Sequence, residues 1–567
     1  MTAKRAVPGT VLFLTGTASL MLEMVWARRF AIVYGGTVPA AAAVLGAYLA
    51  GLALGASQLG RYADRSRFPH RTLALFESGV GAWALASLAL PFVLPPVYDF
   101  LVFRNTAARG VAQFAAAILF LLPPAFLMGG VLPAAVAWKT QTGKAGTAQT
   151  AGWLRFVNCA GAACGALLAA LYLIRNHGLN LTTAAAAALA FVAAGIARVC
   201  GDSPAPACDS RGCSERTSAS RETAGSGDLS PREIRPRARR SLSGAWESRE
   251  DLLPKRATMA LAFLTGTLTM MCQVAQFRAL SFLTTGTLAS FAVVSAVYIF
   301  ALGLGSVIGS GLIALSRSRH LFLIQALVLG IAGAGAGWSV PLLAGMRPLF
   351  GGAIRTGGEA SILWAAIAVA PAALPLGVVF PVLIAGTGAP RENAGRAVGG
   401  VSAALELGSV TGPVLVGLVV LPLLGTRLTL VTAAFAAAGL ASILLVTPEG
   451  RKVVFRSSFG VLTVVALAAV VGSGAFLTLR RGLYRPAVLE RIERDAGPGG
   501  RILAFSEGIE GIVSVASVWN ARESREIRFL YLGRKMQSDD SKLWRRIEMS
   551  MGTLPALLCP VRAGEGF

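Results

Sequence analysis

The residues able to do chemistry in this chain are few, and most of them sit where a charge is costly. Glu23 lies in the run Glu23-Met-Val-Trp26-Ala-Arg28, Glu77 opens a later apolar stretch, and Glu406 falls inside another. Arg155 and Asn158 interrupt a fourth. An ionisable group in a stretch long enough to cross a bilayer is expensive, so it points to an ion, proton or substrate site unless a partner accounts for it. Two of the carboxylates have neutral counterparts, because an internal repeat pairs Glu23 with Gln273 and Glu77 with Gln325. Exchanging a carboxylate for its amide keeps hydrogen bonding and removes the charge. A cation or proton site between two related halves would need that asymmetry. The other reading is structural: Glu23 and Arg28 find partners on neighbouring helices, their five-residue spacing being wrong for one helix face, and Glu77 snorkels to an interface.

Other reactive residue types carry less. The seven cysteines are scattered, and Cys208 and Cys213 lack a nearby His or a CxxC knuckle. Free thiols fit that pattern better than a disulfide framework or a zinc site, so no metal is expected. Gly333-Ala-Gly-Ala-Gly337 sits in an apolar stretch with no strand before it, and as a dinucleotide loop it fails. A net charge of +24 usually suggests nucleic acid. Here the Lys and Arg occupy the short connections between apolar stretches, where membrane proteins keep their orientation signals. No nucleic-acid partner is expected.

The elements that must position these residues follow from composition. With 54% hydrophobic and 14% charged residues and a mean hydropathy of +0.64, the 567-residue chain cannot be one water-soluble globule. Its main partner is the lipid bilayer. Stretches of about 20 apolar residues give thirteen candidate spans, six between residues 9 and 199 and seven between 258 and 479. The first is too long, and too polar at its end, for a cleaved signal peptide. More basic residues fall on the side of the N-terminus, among them Lys4, Arg61, Lys139 and Arg396, than on the other. The expectation is a multi-pass protein of the cell inner membrane with its N-terminus in the cytoplasm. Arg480, Arg481 and Arg485 follow the last span at once and argue for a cytoplasmic tail, which an odd count does not allow. The stretches 72–100 and 321–350 are long enough to hide a re-entrant segment, and a cytoplasmic tail is the expectation. Pro123-Pro124 and Gly129-x-x-x-Pro133 suggest a broken helix in the fourth span.

Organisation comes from the repeat. Phe13-Leu-Thr-Gly-Thr17 recurs as Phe263-Leu-Thr-Gly-Thr267, and at the same offset of 250 Arg28 meets Arg278, Tyr48 meets Tyr298 and Gly55 meets Gly305. Gly129 with Pro133 answers to Gly377 with Pro381, and Gly161 with Gly165 to Gly408 with Gly412. Each half leads with six spans, an even number, so both enter the membrane in the same sense, as parallel repeats do in major-facilitator transporters. The expected fold is an all-α polytopic membrane protein of two parallel six-helix repeats, with one or two extra helices and a small C-terminal β-meander. The expected domains are 1–200, a first repeat; 201–256, a polar Ser-, Pro- and Arg-rich linker with too little apolar content to form a core; 257–480, a second repeat with an extra span; and 484–567, a soluble module. In that module Arg501-Ile-Leu-Ala-Phe505, Ile512-Val-Ser-Val-Ala-Ser-Val518 and Glu526-Ile-Arg-Phe-Leu-Tyr-Leu532 alternate like strands, and residues 541–558 read as a helix.

Ser506-Glu507-Gly508, Val513 and Val515, Leu532-Gly533-Arg-Lys-Met-Gln537-Ser538 and Gly552-Thr-Leu-Pro555-Ala-Leu-Leu558 resemble, in order, the N-terminal β-domain of spermidine synthases. Glu23-x-x-Trp26-x-Arg28, Gly51-Leu-Ala-Leu-Gly55, Pro124-x-x-x-Met128-Gly129-x-x-x-Pro133 and Asn158-x-x-Gly161-x-x-x-Gly165 are similar to the membrane half of fused major-facilitator/spermidine-synthase proteins. The resemblance implies an aminopropyltransferase of polyamine biosynthesis. It also implies that the catalytic Rossmann-like domain, which binds decarboxylated S-adenosylmethionine, would follow Leu558. The sequence reaches Phe567 without it, so the expectation is no cofactor in this chain, no catalytic residues, and a membrane module inactive alone or served by a separately encoded transferase domain. Gln537 would match the family's polyamine-side glutamine, and Asp539 would attract a cationic amine. With Glu23 and Glu77 these form the expected substrate-binding set for a polyamine-like small molecule. The alternative is a secondary transporter of a cation or polyamine.

Overall fold

The structure is a computed structural model that describes residues 2–34, 38–103, 109–142, 145–200, 254–283, 288–315, 321–350, 359–446, 458–480, 501–507, 512–520, 524–532 and 535–539. The first repeat comprises α1 (Thr2–Tyr34), α2 (Val38–Arg65), α3 (Pro69–Ala86), α4 (Leu90–Phe103), α5 (Arg109–Thr142), α6 (Thr147–Leu167) and α7 (Ile174–Cys200). One turn of tighter helix, Ser87–Ala89, joins α3 to α4, so the two make a single bent crossing. The second repeat comprises α8 (Lys255–Leu283), α9 (Leu288–Leu315), α10 (Leu321–Phe350), α11 (Glu359–Gly386), α12 (Ala394–Leu415) and α13 (Leu421–Val446). A last helix, α14 (Ser458–Arg480), follows. Most of the expected linker and the helix expected at 541–558 lie outside the described residues, although α8 already begins at Lys255.

The repeat holds down to single backbone contacts. A Cβ added at Gly161 would strike the carbonyl of Phe13, and one at Gly408 would strike the carbonyl of Phe263. Gly129 meets Leu52 as Gly377 meets Leu302, and Gly16 meets Asn158 as Gly266 meets Leu405. These glycines bring helices to backbone distance, which is how helices associate where lipid offers no hydrophobic driving force. Each repeat ends alike. α6 passes through a π-helical stretch, Leu168–Leu173, into α7, and α12 passes through Val416–Val420 into α13. The chain then reverses at Gly178 (φ 79°) and at Gly425 (φ 69°), a left-handed backbone that glycine adopts without steric cost. That reversal divides the 54-residue apolar stretch Thr147–Cys200 into two crossings.

Two expectations about the helices are corrected. α5 runs unbroken through Pro123, Pro124 and Pro133, so the fourth span is a continuous helix whose missing donors neighbouring groups absorb. Neither long stretch hides a re-entrant segment: residues 69–103 make one bent crossing and α10 makes one straight one. Among the described residues, with α14 included, the crossings are therefore odd in number. α14 packs beside α10 and α13, with the Trp338 indole donating to the Val470 carbonyl at 3.0 Å and Arg427 Nε to the Thr478 carbonyl at 3.0 Å. It thus ends on the face opposite the N-terminus, whereas its arginines suggested the same face.

Beyond α14 lies a four-stranded antiparallel meander, β1 (Arg501–Glu507), β2 (Ile512–Asn520), β3 (Arg525–Leu532) and β4 (Lys535–Asp539). Three strands match the expected ones, and the fourth lies in the segment read only as a motif. Ala516, Val518 and Tyr531 share an apolar cluster with Val340, Ala365 and Leu430, from the opposite-face portions of α10, α11 and α13.

Candidate functional site

The halves meet along two seams that the pseudo-two-fold axis exchanges: α2 against α12, and α9 against α6. Both are built by small residues. Gly60 approaches Gly395 and Gly399, and Gly303 approaches Cys159 and Phe156. Between the seams, polar groups converge from both repeats. Glu23 of α1 and Glu406 of α12 act on each other electrostatically and both act on Tyr48 of α2. Arg155 of α6 supplies the positive charge that acts on Glu406. Its guanidinium lies 4.1 Å from the centroid of the Phe380 ring of α11, a cation–π contact, and Cys159 follows one turn along α6. Asn158 lies on the same helix, between Arg155 and Gly161.

The position of these groups decides what they can do. Glu406 lies eleven residues beyond Gly395, about 16 Å along the helix from the N-terminal face. Glu23, Arg155 and Glu406 are each half-buried. At that depth they belong to the interface between the repeats, with α1 and α6 contributing from the first and α12 from the second. Two carboxylates and one guanidinium leave one negative charge over, enough for one cationic group or one proton. No cluster of three or more metal-ligating side chains occurs among the described residues.

The structure brings together Glu23 and Glu406 but not the other expected site residues. Glu77 is 1% exposed, and the Thr15 hydroxyl donates to it at 2.7 Å. It does not snorkel. Thr15 precedes Glu23 by eight residues, about 12 Å of helix, so Glu77 belongs to the packed interior of the first repeat and not to the central site. Its counterpart Gln325 is also buried, with no partner for Nε2. Gln537 and Asp539 stand on β4, past the last crossing. β3 and β4 slip register between Leu530 and Tyr531, which leaves Gln537 as the extra residue of a bulge. Arg28 is exposed, whereas its neighbour Arg29 is buried and donates to the carbonyl of Ser87 and to Asn180 Oδ1. There the sequence pointed to the wrong arginine.

One functional group was missed altogether. Asp64, at the end of α2, accepts hydrogen bonds from the backbone N–H groups of Gly395 (2.7 Å) and Arg396 (2.6 Å). These are orphan donors at the start of α12, where the helix dipole favours an anion. The carboxylate thus caps a helix of the other half and fastens the α2–α12 seam at the N-terminal face. The signal lay in Gly60-x-x-x-Asp64-Arg65, a small residue one turn before an acid, which passes for an ordinary basic loop. At the other seam the repeat places Ala314, and α6 is capped within its own first turn, where the Gly146 N–H donates to Gln149 Oε1 at 3.4 Å.

No protein-family model matches the chain, and no curated protein matches it. Solved structures do match. A bacterial homologue of the iron transporter ferroportin, in an outward-facing state, is 13% identical with a TM-score of 0.47, the match covering 78% of this chain and 98% of that one. The proton:xylose symporter XylE of the major facilitator superfamily is 15% identical with a TM-score of 0.47, over 83% and 95%. The Escherichia coli fucose:proton symporter FucP is 14% identical with a TM-score of 0.44, over 80% and 98%. The two parallel six-helix repeats, exchanged by an axis along the membrane normal, have the design of that superfamily. The fold is major-facilitator-like.

Proposed function

We propose that the chain is a secondary transporter that moves a cation by rocking its two repeats about the Glu23–Arg155–Glu406 site. One observation carries this reading: two interacting carboxylates and one arginine, drawn from both halves, converge at mid-depth between the repeats. Arg155 belongs to the first half and Glu406 to the second, so relative movement of the halves changes the charge balance that a bound cation meets. Asp64 supports the reading, since its two hydrogen bonds tie the C-terminal end of α2 to the N-terminal end of α12 and must break for that face to open. The substrate class is a monovalent cation, a proton or one amine of a polyamine.

The test is flux in proteoliposomes. Spermidine, Na⁺ or K⁺ is applied in turn as a gradient, with a pH-sensitive dye inside the vesicles. The expected result is uptake of one of these, or counterflow of protons, that Glu406→Gln and Glu23→Gln abolish while the protein stays monodisperse. Flux at the native rate in both variants, or none for any gradient, would overturn the reading.

A second reading is the membrane module of a polyamine aminopropyltransferase. The four-stranded meander supports it, as does the bulge at Gln537 with Asp539 two residues on, because bulges occur where strands re-aim functional side chains. Co-expression with a separately encoded transferase domain is its test. Aminopropyl transfer that depends on this chain and is lost on Gln537→Ala would favour it over transport.

A further inference from the structure

Among the described residues, the two repeats differ in how one lipid-facing groove is filled. In the first, α1, α5 and α6 leave a groove of about 380 Å³ near the N-terminal face, lined by Gly9, Thr10, Phe13, Lys139, Trp153 and Val157. A Cβ at Gly9 would meet nothing within 4 Å. Phe13 is 38% and Trp153 46% exposed, an open apolar surface at a depth where only lipid can cover it. In the second repeat the corresponding residues are Met259, Ala260, Phe263, Thr387, Gly400 and Ala404. There the Met259 side chain reaches over the small Gly400, at 4.0 Å from an added Cβ, and occupies the space. The groove is therefore not a void imposed by the architecture. The first repeat alone has lost the filling side chain, gained an indole and placed an ammonium at the rim.

Those changes suit one kind of molecule. Lys139 lies in the last turn of α5, on the face where the basic residues concentrate, which is the depth of the headgroups. Phe13, Val157 and the Trp153 ring continue from it towards the middle of the membrane along α1 and α6. A cation at headgroup depth above an apolar channel is complementary to a phosphate with an acyl chain below it. We propose that this groove holds one anionic phospholipid of the leaflet at the N-terminal face, its phosphate beside Lys139 and one acyl chain lying on Gly9, Phe13 and Trp153.

The test uses the full chain in nanodiscs of phosphatidylcholine doped with brominated phosphatidylglycerol or, separately, brominated phosphatidylcholine. Bromine quenches tryptophan on contact, and subtracting the signal of Trp153→Phe isolates one of the nine tryptophans. At equal mole fraction the half-quenching concentration should be about fivefold lower for phosphatidylglycerol, as one Lys at a membrane surface contributes about 1 kcal/mol. Lys139→Gln should bring the two lipids level. Gly9→Met, which copies the second repeat into open space, should remove quenching by both. Equal quenching of the native chain by the two lipids would show ordinary annular lipid and overturn the proposal, as would native quenching of a folded Gly9→Met variant.

Discussion

The two repeats share a backbone and divide the chemistry. Where α1 crosses α6 and where α8 crosses α12, the same glycines meet the same carbonyls. Even the side-chain ties have counterparts: Trp26 donates to Ser87 at 3.1 Å, and at the equivalent place Gln276 donates to Ser339 at 2.8 Å. The charges are not shared. Glu23 answers to Gln273, Arg155 to Ser402, and Glu406 to Cys159, one turn beyond Arg155. Packing between helices in lipid tolerates almost no change at a glycine whose Cβ would enter a neighbour's backbone. A polar group at the interface between the repeats is constrained only by what it binds. Duplication fixed the first kind of position in both halves and left the second free to diverge into one asymmetric site.

The strongest way to break this comparison is to disturb the shared part. Gly161→Val and Gly408→Val both push side chains into a backbone carbonyl, and overpacking of this sort costs about 1–3 kcal/mol or more. Thermal unfolding in detergent should show losses of similar size for the two. A loss in only one would mean that the halves do not carry equivalent loads. Next come the unshared charges. Glu406→Gln removes a charge-assisted contact worth about 1.5–3 kcal/mol, so cation affinity measured by isothermal titration should fall about tenfold or more. Gln273→Glu, at the neutral counterpart of Glu23, should neither rescue the Glu23→Gln variant nor alter native affinity.

A smaller effect should separate the two seams. Asp64→Asn keeps one acceptor oxygen and loses the charge that answers two N–H groups, a cap loss of about 1 kcal/mol. Hydrogen exchange at the start of α12 should rise about fivefold, while exchange at the start of α6, which has no carboxylate from the other half, should not move. The smallest effect is predicted at Glu77. The second repeat already carries an amide in its place, so Glu77→Gln should change the melting free energy by less than about 1 kcal/mol and leave flux intact. A large loss of flux there would return Glu77 to the site.

Much of the fold was legible because lipid imposes one-dimensional rules. Long apolar runs can only cross, and paired glycines such as Gly161 and Gly408 keep their register across a duplication. The α5 prolines misled because sequence shows a missing donor but not the neighbours that compensate for it. The site was half legible. Glu23 and Glu406 are conspicuous by their cost, but nothing local connects Arg155 to a residue 251 positions away. Glu77 shows the complementary case, since its cost in the bilayer is visible in sequence and the Thr15 hydroxyl that meets it is not. β4 escaped notice because Lys-Met-Gln-Ser-Asp has no clear alternation and its bulge spoils what little there is.

The odd number of crossings among the described helices gives the molecule a built-in compass. An epitope ahead of α1 and another in the β2–β3 hairpin are never on the same side of a sealed membrane, so an impermeant protease added to reconstituted vesicles trims one or the other according to how each copy was inserted. The ratio of the two fragments reads out the fraction of molecules pointing each way, and any flux measured in the same preparation acquires a direction.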